Sequence, residues 1–241
     1  MNPYQTLSSP LLNDAGLNCH AVFDIASLST DARHLLIERC PQVIKYRQLI
    51  LIGHGGRQFW QSLSATDAVI STEASNHPVD DFTVSIVRQF FESECSGVDY
   101  EIMYPGAYTV SLQELGKLAG WHHASPFMVG INATFGSWFA YRAMILANTN
   151  LPTSTPVKTT SPCHDCSSKI CIQSCPAQAL DGGEFHLLKC VSYRQLENSR
   201  CKETCVARVS CPVASEHRYS EQQIHYHYGR SIRMINAMAK R

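Results

Sequence analysis

The sequence has few charged residues and no excess of either sign. Only 17% of the 241 residues are Asp, Glu, Lys or Arg, and the 20 basic residues balance the 20 acidic ones. A chain without net charge offers no broad surface for phosphate groups, which argues against bulk binding of nucleic acid. We therefore expect no nucleic-acid partner. The shortage of charge, against about 25% in average usage, suggests that a cofactor or partner covers extra surface.

Long apolar runs and targeting segments are missing as well. The best candidate for a membrane span, Phe139 to Ala147, is short and contains Arg142, whereas a bilayer span needs about 20 apolar residues. The first residues have neither the basic nor the apolar region of a secretory signal. We therefore expect a cytoplasmic protein without a membrane partner, in which cysteines stay reduced and a disulfide framework is excluded.

Two common catalytic motifs are also absent. The chain has neither the G-x-S-x-G run of serine hydrolases nor the phosphate-binding P-loop. Gly53 to Gly56 follows a predicted strand, and loops at strand ends often line sites in sheets flanked by helices. Gly53 and His54 are therefore candidate cofactor contacts. The alternative is that the glycines let the backbone pass close to a neighbour.

Residues 1–150 mix strand and helix patterns. Apolar runs predict strands at His20 to Ile25, Arg47 to Gly53, Val98 to Tyr104, Phe127 to Ala133 and Trp138 to Ala147. The last two strands flank a turn at Gly136 and are expected to pair as a hairpin. Apolar spacing and capping residues predict helices at Asp31 to Cys40, Asp81 to Cys95 and Ser111 to Ala119. The pattern predicts an α+β fold with a mixed sheet flanked by helices.

The composition changes after residue 148. Asn148 to Pro162 carries three prolines and five threonines, which is typical of an extended connector. We predict a first domain over residues 1–150, a linker over 151–162, a cysteine-rich module over 163–213 and a tail over 214–241. The tail is expected to be helical from about Glu221. We interpret its histidines and tyrosines as solvated or packing side chains rather than as metal ligands.

The cysteines divide into two kinds by position. Cys19, Cys40 and Cys95 stand alone and are interpreted as small buried apolar residues. The other eight crowd together, at Cys163, Cys166, Cys171, Cys175, Cys190, Cys201, Cys205 and Cys211. The spacing from Cys163 to Cys175 resembles the ferredoxin run C-x2-C-x2-C-x3-C-P, with a gap after Cys166 that is two residues longer. Cys175 and Cys211 are both followed by proline.

These runs predict two [4Fe-4S] clusters. In two-cluster ferredoxins the fourth cysteine of each run ligates the other cluster. That rule assigns one cluster to Cys163, Cys166, Cys171 and Cys211, and the other to Cys175, Cys190, Cys201 and Cys205. Two structural zinc ions are the alternative, because four-cysteine zinc sites also use paired cysteines. Arg194 and Arg208 lie within the runs, where positive charge would raise the potential of a cluster.

The order of several motifs resembles that of a known superfamily. Leu115 to Trp121, then Phe135 to Arg142, the connector and the paired cysteine runs follow the order found in corrinoid-linked iron-sulfur reductases. This superfamily includes epoxyqueuosine reductase, the reductive dehalogenases and cobalamin-processing proteins. The resemblance covers roughly residues 104–213. It implies an oxidoreductase with a nitroreductase-like, cobalamin-binding domain followed by a two-cluster ferredoxin-like module.

The resemblance also implies a site. The loops Trp121 to Ser125 and Phe135 to Phe139 would lie near the corrin. With the strand-end loop, the candidate cofactor contacts are Gly53, His54, Trp121, His122, Ser125, Phe135, Gly136 and Trp138. No catalytic side chain is assigned. Epoxyqueuosine reductases carry an acidic residue where Tyr104 to Tyr108 has none, so we expect a substrate other than a queuosine precursor.

Three functions follow as hypotheses. In the first, two clusters deliver electrons, received from a flavodoxin or ferredoxin, to a cobalamin on the N-terminal domain. In the second, the chain is a ferredoxin-like electron carrier without corrinoid, and its N-terminal domain docks a partner. In the third, the chain is an interaction module that zinc ions stabilise structurally.

Overall fold

The computed structural model describes residues 2–66, 77–106 and 111–238, and these residues form two compact units. The first unit contains the chain up to His122 together with Phe139–Lys158, and the second contains His123–Trp138 and the chain from Thr159 onwards. The predicted boundary at residue 150 therefore differs from the observed division. Residues 123–138, expected in the first domain, belong to the unit that holds the cysteine runs.

A four-stranded sheet forms the centre of the first unit. Its strands are β1 (Cys19–Asp24), β2 (Gln48–Gly55), β3 (Tyr100–Tyr104) and β4 (Phe139–Ala147), in the order β1-β2-β4-β3. The α+β class is confirmed, but the predicted mixed sheet is wrong, because all three neighbouring strand pairs are antiparallel. β2 is buried along its whole length, which explains the unbroken apolar run that predicted it.

Five α-helices of the first unit lie within the described ranges. They are α1 (Pro10–Asp14), α2 (Thr30–Arg39), α3 (Gln58–Ser64), α4 (Pro78–Glu94) and α5 (Leu112–Leu118). α4 buries Val87, Phe90 and Phe91 at helical spacing, as predicted. It begins earlier than expected because Pro78 occupies the first turn, where a missing N–H is not needed. Ser111 caps α5 by accepting a hydrogen bond from the Glu114 N–H.

The predicted strand at Phe127 to Ala133 is wrong. This segment forms no strand, and only isolated bridges join His123 to Ile131 and Asn132 to Gly136. The Asn132 side chain accepts a hydrogen bond from the Phe135 N–H at 2.8 Å, which closes a tight loop in place of a hairpin. Phe127 and Ile131 are buried among residues of the cysteine runs. Their apolar character therefore reflects the core of the second unit and not a sheet.

The connector has no helix or strand, yet it is fixed to the first unit. The Val22 N–H donates to Ser154 Oγ and the Ser154 N–H donates to the Val22 carbonyl, both at 2.8 Å. The Val157 N–H donates to the Ala119 carbonyl at 3.3 Å. Gly120 has a φ of +75°, and a Cβ there would lie 2.0 Å from the Val157 carbonyl oxygen. The connector is thus held in place and is not a free tether.

The helices of the second unit are short except for the last. They are α6 (Ile170–Gln173), α7 (Leu187–Gln195), α8 (Val206–Val209) and α9 (Glu221–Met238). α9 begins at the residue from which a helix is predicted. None of the helices in the described residues combines the length and apolar content that a membrane span requires.

Candidate metal centre

All eight clustered cysteines lie in the second unit as free thiols. Cys171 lies in α6 and Cys190 in α7, whereas Cys205 directly precedes α8. The others lie in the loops before, between and after these short helices. The chain therefore presents its thiols from several directions, as a metal cluster requires.

Four of these thiols form a first group, made up of Cys163, Cys166, Cys171 and Cys211. Burial raises the pKa of Cys163, and the neighbouring thiolates of Cys211, Cys171 and Cys166 raise it further. The pKa of Cys171 is raised by burial and then by Cys211 and Cys166. Because like charges interact this way only at short range, the four thiols face one region.

The remaining four form a second group and line one cavity. Cys175, Cys190, Cys201 and Cys205 all border a cavity of about 180 Å³, together with Tyr228 and Arg194. Burial raises the pKa of Cys190, and Cys205, Cys175 and Cys201 raise it further. None of the resolved pKa shifts couples a cysteine of one group to a cysteine of the other. These groups contain the same cysteines as the two ligand sets predicted from spacing, and metal binding by each set stays a prediction.

The ligand chemistry of these cysteines suits two kinds of metal centre. Four-cysteine zinc sites and four-iron cubanes both use thiolate ligands. Among the described residues, no group of three or more His, Cys, Asp or Glu side chains is arranged to hold a single metal ion. The choice of clusters over zinc therefore stays a prediction from the cysteine spacing.

Arg194 joins the second group to α9. Its side chain is 7% exposed, and its guanidinium donates to the carbonyls of Cys201 (3.0 Å) and Lys202 (3.2 Å). It also donates to the Tyr228 carbonyl and to Ser231 Oγ, both at 3.0 Å. One buried cation thus fixes the loop that carries Cys201 against the C-terminal helix.

Arg208, the second buried arginine, is enclosed by aromatic rings. Its guanidinium lies 4.5 Å from the Trp138 ring and 5.2 Å from the Tyr219 ring, and it donates to the Ser137 carbonyl at 2.5 Å. Burial opposes the charge, but the contacts with Tyr228 and Tyr219 outweigh it and raise the pKa of Arg208. A fixed positive charge therefore lies inside the second unit.

The four predicted cofactor contacts of the first unit are packed against protein. A Cβ on Gly53 would lie 2.9 Å from the Ala140 carbonyl oxygen, and His54 stacks on Phe59 at 4.7 Å. Trp121 stacks on Tyr141 at 6.3 Å, and His122 Nδ1 lies 3.2 Å from the Tyr141 hydroxyl. The glycine of the strand-end loop therefore serves a close backbone approach, which is the alternative considered from the sequence.

The other four predicted contacts belong to the second unit. Ser125 Oγ donates to the Val129 carbonyl, and Phe135 meets His217 edge-on at 4.9 Å. Gly136 has a φ of +58°, and a Cβ there would lie 2.3 Å from the Val213 carbonyl oxygen. Trp138 is fully buried, and its indole N–H has no hydrogen-bond partner. The eight predicted contacts are thus split evenly between the two units.

Two residues of α9 were not identified from the sequence. Gln223 is fully buried, and neither atom of its side-chain amide has a hydrogen-bond partner. Tyr228 borders the cavity of the second group. The alternation of histidine and tyrosine in the tail was the only signal, and it did not separate these side chains from their neighbours.

Comparisons with known proteins identify a fold. No family model and no curated protein matches the sequence. A structure of epoxyqueuosine reductase from Bacillus subtilis, with its catalytic loop swung out of the active site, matches with a TM-score of 0.53 and 14% identity. It covers 88% of this chain and 66% of that protein.

Two further structures agree. The epoxyqueuosine reductase from Streptococcus thermophilus gives a TM-score of 0.50 at 15% identity, covering 85% of this chain and 64% of its own. An epoxyqueuosine reductase with an epoxyqueuosine-modified tRNA-Tyr stem loop gives 0.52 at 14% identity, covering 89% and 67%. The chain therefore shares the fold of these reductases and spans about two thirds of their length.

Proposed function

We propose that this chain, which has the fold of epoxyqueuosine reductases, is an iron-sulfur oxidoreductase with two [4Fe-4S] clusters in its second unit that deliver electrons to a cobalamin bound by the first unit. The observation that carries the cluster assignment is the cavity of about 180 Å³ bordered by all four thiols of the second group. The first group supplies four more thiols that influence one another. Four thiolates are the usual ligand set of a cubane.

The chain's own residues have definable tasks in this proposal. The cysteines hold the clusters, which when bound supply electrons one at a time. Arg194 and Arg208 provide buried positive charge in the unit that would carry the negative clusters. The apolar side chains of Phe127, Leu180 and Phe185 border the same cavity as the four thiols of the second group.

The electron donor in this proposal is a small protein of flavodoxin or ferredoxin type in the cytoplasm. Support comes from the surface beside Cys190 on α7. Leu187 and Leu188 precede this cysteine and are 60% and 79% exposed. Exposed leucines next to a cluster ligand are suited to brief docking of a redox partner.

Fewer observations support cobalamin binding than support the clusters. All eight predicted contacts have protein neighbours, so we derive no step through the corrin. The indole N–H of Trp138 has no hydrogen-bond partner among the described residues, but Trp138 belongs to the second unit and is fully buried. The alternative, a ferredoxin-like carrier without corrinoid, keeps the clusters and assigns the first unit to docking a partner.

The clusters are tested by metal analysis of protein purified without oxygen. We expect about eight iron atoms per chain and a broad absorption shoulder near 400 nm, roughly as for other proteins with two cubanes. Cys205→Ser and Cys211→Ser are each expected to remove about half of the iron, because they belong to different groups. Cys40→Ala, a buried cysteine of the first unit, is the matched control and keeps all of it. Zinc without iron would disprove the proposal.

Titration with hydroxocobalamin tests whether the protein binds cobalamin as its electron acceptor. Binding is expected to quench the fluorescence of the wild-type protein, and Trp121→Phe, at a predicted contact of the first unit, is expected to weaken the binding itself. Trp60→Phe, a buried tryptophan of α3 outside the predicted site, is the control. A protein that holds eight iron atoms but does not respond to cobalamin would favour the electron carrier without corrinoid.

A further inference from the structure

One tyrosine of α9 reaches a thiol of the second cysteine group. The Tyr228 hydroxyl lies within hydrogen-bonding reach of Cys205 and of the guanidinium of Arg208. Tyr228 also borders the cavity that the four thiols of this group share. The contact therefore lies within the candidate cluster site, although Tyr228 comes from a helix that carries no cysteine.

The direction of these hydrogen bonds follows from the chemistry of the groups. A guanidinium has only donors, so the Tyr228 oxygen accepts from Arg208. The single hydroxyl hydrogen of Tyr228 is then free to point at Cys205 Sγ. Arg208 is itself fixed by the Ser137 carbonyl and by the rings of Trp138 and Tyr219. The result is a chain of donors that runs from a buried cation to a thiolate.

The first group has a different environment. Cys166 accepts its hydrogen bonds from the Lys169 backbone and the Ser168 side chain, which lower its pKa. Lys169 reaches the Cys163 carbonyl at 3.2 Å from an exposed position. Within the part of the chain that the structure describes, the resolved interactions of this group include no tyrosine. The two sites thus present different hydrogen-bond donors to their thiols.

We propose that Tyr228 is a positioning residue that raises the reduction potential of the cluster held by Cys175, Cys190, Cys201 and Cys205. The proposal rests on the function proposed above, because it requires a cluster in this group. Reduction adds one electron to the cluster, with no bond formed or broken, and therefore increases the negative charge on its thiolates. A hydroxyl that donates to Cys205, backed by the charge of Arg208, stabilises the reduced form more than the oxidised form.

The test is a potentiometric titration of the whole protein followed by electron paramagnetic resonance. Two one-electron steps are expected in the wild type. Tyr228→Phe is expected to lower one midpoint, so that at a fixed potential the ratio of reduced to oxidised cluster falls about tenfold, which is 59 mV for a one-electron couple. The other midpoint is expected to stay where it is. Tyr226→Phe is the matched control, because Tyr226 lies on the same helix and contacts Arg230 and His227.

The outcomes separate this proposal from the previous one. A wild-type protein without iron would overturn the two-cluster function and this inference with it. Suppose instead that wild type and variant both hold eight iron atoms and that the two midpoints do not move, or move equally. This result would overturn the role of Tyr228 and leave the two-cluster function standing. If Tyr228→Phe loses iron, 3-fluorotyrosine at position 228 replaces it in the test. This analogue keeps the hydroxyl and donates more strongly, so the same midpoint is expected to rise, and an unchanged midpoint would refute the inference.

Discussion

In the first unit the centre is a run of aliphatic side chains, Leu49 to Ile52, none of which is exposed at all. The interior of the second unit instead contains a cavity bordered by four thiols. Burying a leucine or isoleucine contributes about 1.5–3 kcal/mol, whereas burying thiols that must ionise raises their pKa and opposes the charge. The first unit therefore carries its own driving force for folding.

Under the proposed function, the second unit depends on its bound metal. α6 and α8 have only four residues each, and helices of this length do not form on their own. The arginine contacts of Arg194 and Arg208 fix loops, but they also bury charge. Metal binding supplies folding free energy in sites of this kind. We therefore expect one chain to combine a unit that folds without a cofactor and a unit that requires one.

Removal of iron is expected to have the largest effect. Anaerobic chelation should abolish protection from amide hydrogen exchange in the peptides of α6, α7 and α8, while peptides of β2 and β4 keep theirs. Exchange measured by mass spectrometry on the same sample reports both units, and reconstitution with iron and sulfide serves as the control. Retained protection in all peptides would remove the proposed difference between the units.

Leu51→Ala is expected to act on the first unit alone. Leu51 pairs with Ala21 on β1 and Met144 on β4 and is fully buried, so truncation leaves a cavity and costs about 4 kcal/mol. Denaturant unfolding measures the loss, and iron analysis is expected to show the wild-type content. A large loss of iron in this variant would mean that the units are not independent.

Gly136→Ala is expected to act on the second unit alone. The added Cβ meets the Val213 carbonyl at a left-handed φ, and we expect a loss of about 3 kcal/mol. Gly182→Ala is the matched control, since Gly182 has a φ of +72° and a Cβ added there would meet no atom within 4 Å. At this position only the backbone strain of about 1 kcal/mol remains. Thermal unfolding of the cluster chromophore compares the two variants. Equal losses would show that the contact with Val213 is unimportant.

Acidification is expected to weaken the first unit slightly. Burial lowers the pKa of His20 from 6.5 to about 4, so the unfolded chain binds a proton more readily than the folded chain. Stability is then full above pH 6.5 and is lost as the pH falls, by about 2 kcal/mol between pH 7.5 and pH 5. His20→Gln should flatten this dependence by one proton in denaturant unfolding at several pH values. An unchanged slope would contradict a buried neutral His20.

The sequence predicted the sheet best where burial is complete. The run at Arg47 to Gly53 identified β2 because the whole strand is buried, so Leu49 to Ile52 form an unbroken apolar run. It failed at Phe127 to Ala133, where the apolar residues contact Cys171, Leu180 and Cys211 far along the chain. Hydrophobic spacing reports that a side chain is buried, but it does not report which neighbours bury it.

The candidate site shows the same limit. The assignment of the thiols to two ligand sets came from cysteine spacing in ferredoxin runs, and it stays a prediction. The role of Tyr228 did not follow, because the contact with Cys205 depends on how α9 folds back in space. Four of the eight predicted cofactor contacts, Ser125 to Trp138, belong to the cysteine unit for the same reason.

The division of the second unit into two separate stretches affects how the protein is made. Residues 123–138 leave the ribosome before the cysteine runs exist, and the left-handed turn at Gly136 fits against Val213, which is 77 positions later in the sequence. At ordinary translation speeds that interval is roughly 4 to 15 s. During it the loop lacks its contact with Val213, so the first unit can be complete on the nascent chain before the second unit is able to close.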